Sequence, residues 1–163
     1  MIVITAVENY VPRDTDVCVF LAGGITKCPE WQKAVIAELE KYELPNLVVF
    51  NPRRENFPIG NPNASQEQIE WEFFWLERMD IFSMYFSAGE SDQPICMYEL
   101  GRNLLRMTLA GRKYRCVISV EKGYKREQDV LIQSKLAASL DLVNTDANPA
   151  IHANKIAEVY NNF

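Results

Sequence analysis

Apolar and polar positions alternate along this chain in two different rhythms. Short, nearly continuous apolar runs recur at residues 17–22, 47–50, 81–86 and 115–120. Runs of that length without polar interruption belong to strands buried on both faces. Weaker β-like runs lie at 2–6 and 140–143. Between them the apolar residues fall at helical spacing. Trp31, Val35, Ile36 and Leu39 mark a helix over 29–42 whose first turn accommodates Pro29. Ser65 followed by Gln68 has the form of a capping box and predicts a helix from 65 to 78. Further helices are predicted over 94–110, closed by Gly111, over 129–139 and over 149–160. Residues 55–64 form a long loop holding Pro58, Gly60 and Pro62, a composition that often frames a site.

Strands alternating with helices predict a parallel sheet with helices on both faces. The expected fold is a single three-layer α/β domain over residues 1–163, with a five-stranded, mainly parallel sheet of flavodoxin-like or Rossmann-like type. Counted from the strand at 17–22, the expected strand order is 2-1-3-4-5. The chain of 163 residues is long enough to bury a core of its own.

Composition narrows the chemistry. The net charge is −5 with no block of lysine and arginine, which argues against a nucleic-acid polymer as partner. A single deoxynucleotide needs only a local site. No apolar stretch reaches membrane-spanning length, so no membrane partner is expected, and no signal-peptide pattern opens the chain. Cys18, Cys28, Cys96 and Cys116 form no C-x-x-C pair, which fits free thiols and a reducing, cytoplasmic setting. The one histidine, His152, leaves no multi-histidine metal site or histidine triad, so acid–base work falls to carboxylates. Neither G-x-G-x-x-G nor a Walker motif is present, so nicotinamide or triphosphate binding is not supported.

The candidate residues cluster at the predicted carboxyl ends of strands, where α/β sheets keep their ligands. Glu99 stands on the opening turns of a helix, whose N–H groups favour an ionised carboxylate; it reads either as a nucleophile toward a sugar carbon or as a solvated helix residue. Asp92, in the preceding loop, either caps that helix or orients a base. Gly23 and Gly24, followed by Ile25, make a turn that a ligand can approach closely or that simply reverses the chain. Asn51-Pro52-Arg53-Arg54 brings two arginines to a strand end, suited to a 5′-phosphate or to ion pairs with neighbours such as Glu55. Gln68 and Glu72 lie four apart on one helix face and can meet a nucleobase edge, while Trp71, Phe74 and Trp75 read as core. Asn103 completes the substrate-binding candidates. Asp80 and Tyr98 read as structural, and His152 as a surface or core-edge residue.

Together, Phe20-Leu21-Ala22-Gly23-Gly24-Ile25, Trp31, Asn51-Pro52-Arg53-Arg54, Gln68-Ile69-Glu70-Trp71-Glu72, Asp80-Ile81, Asp92 and Glu99-Leu100-Gly101 resemble a divergent branch of the nucleoside 2-deoxyribosyltransferase-like family. Glu121-Lys122-Gly123-Tyr124 is similar to that family as well. The resemblance implies Glu99 as the nucleophile that attacks C1′ of a 2′-deoxyribose. It implies Glu72 as the acid that helps the base depart, at a position where better-known transferases carry aspartate. It implies Asp92 as a contact to base or sugar, one residue further from the nucleophile than is usual. Phe20 or Leu21 stands where the family has a tyrosine.

The activity so implied is exchange of 2-deoxyribose between nucleobases through a deoxyribosyl-glutamate ester, in nucleoside salvage and without a cofactor. Two other readings share the same residues: hydrolysis of deoxynucleosides or their 5′-monophosphates, and a non-catalytic nucleotide-binding module. The implied partners are a deoxynucleoside or deoxynucleotide and a free nucleobase. A homo-oligomer is implied too, in which a neighbour's Asn161, Asn162 and Phe163 complete the site.

Overall fold

The computed structural model describes residues 1–139 and 141–163. Among these residues six strands form one parallel sheet: β1 (Ile2–Thr5), β2 (Val17–Gly23), β3 (Leu47–Asn51), β4 (Ile81–Phe86), β5 (Cys116–Val120) and β6 (Val143–Asn144), in the spatial order β1-β3-β2-β4-β5-β6. The expected five strands are corrected to six. The order from β3 to β6 is the 2-1-3-4-5 arrangement, and β1 adds an edge strand beside β3. The predicted strand at 140–143 appears as the two-residue β6; Leu140 lies outside the described residues.

Among the described residues five α-helices cover the sheet: α1 (Trp31–Leu39), α2 (Ala64–Leu76), α3 (Pro94–Leu109), α4 (Glu127–Ala138) and α5 (Pro149–Tyr160). Side chains alternate across each strand and so feed two cores. Phe82, Met84 and Phe86 of β4 join Trp71, Trp75, Leu100, Leu104 and Val130 on the face of α2, α3 and α4. Ile81 and Tyr85 join Trp31, Val35, Leu39 and Ile156 on the face of α1 and α5. Asp80 fixes the β2–β4 register at the amino edge, where its carboxylate accepts the Cys18 N–H at 2.9 Å. His152 is fully buried in the α1–α5 core, with Nε2 2.7 Å from Ser83 Oγ and Nδ1 2.8 Å from Ser119 Oγ. Burial lowers its pKa to about 3 and keeps the ring neutral.

Helix starts depart from the sequence expectation. α2 begins at Ala64 after Asn63, with no side-chain cap, so Ser65 and Gln68 make no capping box. The residue before α3 is Gln93 rather than Asp92, and it too caps with no side-chain bond. Tyr98 is exposed rather than packed.

Candidate active site

A cavity of about 540 Å³ opens at the carboxyl ends of β2, β3 and β4. Its floor is Ala22, Gly23 and Gly24, at the end of β2, and its walls are α2 and the start of α3. Crossovers leaving the sheet in different directions create such a crevice, with no strand continuing across it.

Two carboxylates face this space. Glu72 comes from the middle of α2 and Glu99 from the second turn of α3. Gln68, one turn before Glu72, donates from Nε2 to Glu72 Oε1 at 2.9 Å and to the Pro52 carbonyl at 3.0 Å. Both amide protons are thereby used, which fixes the amide and aims the Glu72 carboxylate. Among the described residues no hydrogen bond reaches the Glu99 carboxylate. Burial pushes the pKa of Glu99 up to about 7, the negative charge of Glu72 adds to the rise, and Arg102 opposes it. Burial also raises Glu72, against the Gln68 hydrogen bond and the charge of Arg54. The expectation that the helix start keeps Glu99 ionised is therefore corrected: the helix dipole fades within the first turn, and Glu99 is the sixth residue of α3. Two like charges in one desolvated space favour a singly protonated pair near neutral pH.

Gly23, Gly24 and Ile25 line the floor. The Gly23 backbone has φ +150°, and an added Cβ would stand 2.3 Å from the Tyr85 carbonyl oxygen and 2.5 Å from the Trp31 ring. Only glycine meets both demands. The Gly24 N–H donates to Gln93 Oε1 at 3.1 Å, and the Gly24 carbonyl accepts from Trp31 Nε1 at 2.9 Å.

The other candidates lie outside the cavity lining. Arg53 is spent on its own chain: Nη2 donates to the carbonyls of Ile25 at 2.7 Å and Cys28 at 2.9 Å, and Nη1 to the Pro29 carbonyl and to Gln32 Oε1. It braces the segment that follows Gly24. Asn51 Oδ1 accepts the Arg53 N–H at 3.0 Å. The Asp92 side chain is 59% exposed and pairs with Lys125 at 3.5 Å. Asn103 is buried and donates to the Glu99 carbonyl at 2.9 Å, holding the helix backbone under the carboxylate. Phe163 stacks on Arg115 of its own chain, 4.0 Å from ring centroid to guanidinium.

Sequence reasoning missed Gln93, which lines the cavity with its side chain buried. It also missed the apolar rim of Phe57, Ile69 and Ile95, three lining residues that stand well exposed. The only cue to Gln93 in the sequence was its place before Pro94, the first residue of α3. Among the described residues no helix is long and apolar enough to cross a membrane. No cluster of three or more His, Cys, Asp or Glu residues there could hold a metal ion.

Residues 16–124 match the family model described as nucleoside 2-deoxyribosyltransferase like, a span that includes both glutamates and all of the cavity floor. No curated protein matches the chain.

Proposed function

The chain belongs to the nucleoside 2-deoxyribosyltransferase-like family, and we propose that it transfers 2-deoxyribose between nucleobases through a covalent ester on Glu99. Membership itself carries transferase-type chemistry on deoxyribose-containing substrates. The observation that supports the finer reading is the placement of two desolvated carboxylates, Glu72 and Glu99, on one cavity, both with pKa values raised by burial and Glu99 raised further by the charge of Glu72.

In the first half-reaction a Glu99 carboxylate oxygen attacks C1′ of the deoxyribose. The C1′–N bond breaks and its electron pair goes to the base. The reaction draws from the arrangement in which the single proton of the coupled pair sits on Glu72 and Glu99 is ionised, and Glu72 delivers that proton to the base. Positive charge building at C1′ and O4′ is stabilised by the anion beside it, in a space with little water to screen the interaction. In the second half-reaction a nitrogen of another base attacks C1′, Glu99 leaves as carboxylate, and Glu72 takes the proton back. Two inversions at C1′ retain its configuration. One proton for two carboxylates is the inventory this cycle needs, and the Gln68 amide keeps the acid oriented toward the base.

The test is chromatography of the protein with deoxyinosine or deoxyuridine and a different free base, run beside deoxyuridine monophosphate and the Glu99→Ala variant. A new deoxynucleoside that depends on Glu99 is the expected result. Free base without exchange would make the protein a hydrolase, and no reaction on a broad panel would leave a binding module.

A further inference from the structure

Gln93 carries an unusual combination of features. Its backbone is left-handed, φ 48° and ψ 53°, which side-chain-bearing residues rarely adopt, and proline follows it. Such strain persists only where the surroundings hold it, and it gathers at functional sites. Its amide is buried although it borders the cavity. Both ends of that amide are paired: Oε1 accepts the Gly24 N–H at 3.1 Å, and Nε2 donates to the Ser87 carbonyl at 2.8 Å. The amide cannot be reversed, because one partner is a donor and the other an acceptor.

Each partner belongs to a different part of the site. Gly24 is the floor beyond β2, Ser87 is the exit of β4, and Gln93 itself leads into α3, which carries Glu99. The space beside Gly24 is closed accordingly: an added Cβ would stand 2.7 Å from Gln93 Oε1 and 2.4 Å from Cys28 Sγ. The Gly24 N–H, which a ligand-cradling glycine turn would offer to a phosphate, is already occupied.

We infer that Gln93 is a positioning residue, an amide strut that sets the spacing between the Gly24 floor and the helix bearing Glu99. It acts through Gly24 and α3 and not by touching the reacting atoms. Only its activity readout rests on the function proposed above.

The experiment compares wild type with Gln93→Met, which keeps the bulk and breaks both bonds, and with Gln93→Glu, which keeps an acceptor for Gly24. In Gln93→Met the Gly24 amide exchanges about tenfold faster while core amides such as Val19 and Ile118 hold their rates. Turnover falls about 100-fold with KM within about threefold, as expected for a displaced reacting group. Gln93→Glu restores the protection of Gly24. A packing role alone would lower the melting temperature and leave turnover intact, and that result would overturn the inference, as would unchanged exchange at Gly24. If wild type turns over no deoxynucleoside, the functional proposal fails on its own. The strut is then decided by Gly24 exchange and by the ¹³C titration of the Glu99 carboxyl, whose charged neighbours are Glu72 and Arg102. A titration that moves in Gln93→Met supports the strut, and one that stays put in that variant refutes it.

Discussion

Replacing Glu99 by glutamine should stabilise the protein, and by an amount that depends on pH. Folding takes this carboxyl from about 4.5 to about 7, through burial first and the neighbouring Glu72 second. The folded state therefore holds the Glu99 proton more tightly than the unfolded chain does. The stability contributed by that proton is complete below about pH 4.5 and is lost as pH rises through 7. At about 1.4 kcal/mol for each tenfold change in proton affinity, the loss above neutrality amounts to roughly 3 kcal/mol. Glutamine has nearly the same shape and no proton to lose. Glu99→Gln should match wild type near pH 4 and exceed it at pH 8.5 by up to about 3 kcal/mol, or roughly 6–12 °C in melting temperature for a domain of this size. Thermal and urea unfolding of both proteins at the two pH values measures this directly. A difference that is the same at both pH values, or a variant less stable at pH 8.5, would show that Glu99 is not a desolvated acid. The same desolvation gives a reason to keep a destabilising residue, since sites built for chemistry commonly cost stability.

Four further outcomes follow from other parts of the structure. In a turnover assay kcat/KM should fall above about pH 7, where the glutamate pair loses its last proton; in Glu72→Gln, which removes the like charge that helps raise Glu99, the residual rate should instead climb with pH from a lower value. His152→Ala strands the Ser83 and Ser119 hydroxyls and opens a cavity, a loss of about 3 kcal/mol by urea unfolding; no change would mean the ring is not held there. Gly23→Ala, forced against the Tyr85 carbonyl and the Trp31 ring, should cost about 2–4 kcal/mol, and a fully stable variant would refute the close approach. Arg53→Ala should lower activity on a deoxynucleoside and on its 5′-monophosphate alike, because Arg53 is spent on the carbonyls of 25–29; a selective loss on the monophosphate would return it to phosphate recognition.

The interior strands were legible because burial on both faces leaves an unbroken apolar run, and β4 was read to the residue. β1 escaped the count for the converse reason. It pairs only with β3, and of its four residues only Ile4 is buried, so it lacks the signature of a central strand. Helix starts were less legible. Ser65 and Gln68 have the right spacing for a capping box, but Gln68 turns to Pro52 and Glu72, where it has two acceptors to satisfy instead of one backbone group. Tertiary partners outbid local ones there, and spacing alone cannot register that.

The site divides along the same line. Gln68 and Glu72 were readable as a pair because a helix brings residues four apart together whatever surrounds it. Arg53 was not, because its partners are backbone carbonyls more than twenty residues away, which leave no mark on residue type. Gln93 was hidden for the same reason twice over, with a backbone N–H on one side and a backbone carbonyl on the other. The charge state of Glu99 was misjudged because its place in the chain speaks for the helix dipole, whereas its environment is made by α2 packing beside α3. The side-chain types able to do chemistry are written locally, but their proton affinities come from what the fold brings alongside. Glu99 is raised mainly by burial, and then by a carboxylate twenty-seven residues earlier in the chain. A substitution that moves α2 relative to α3 should therefore alter the pH dependence of the protein before it alters the identity of any group in the cavity.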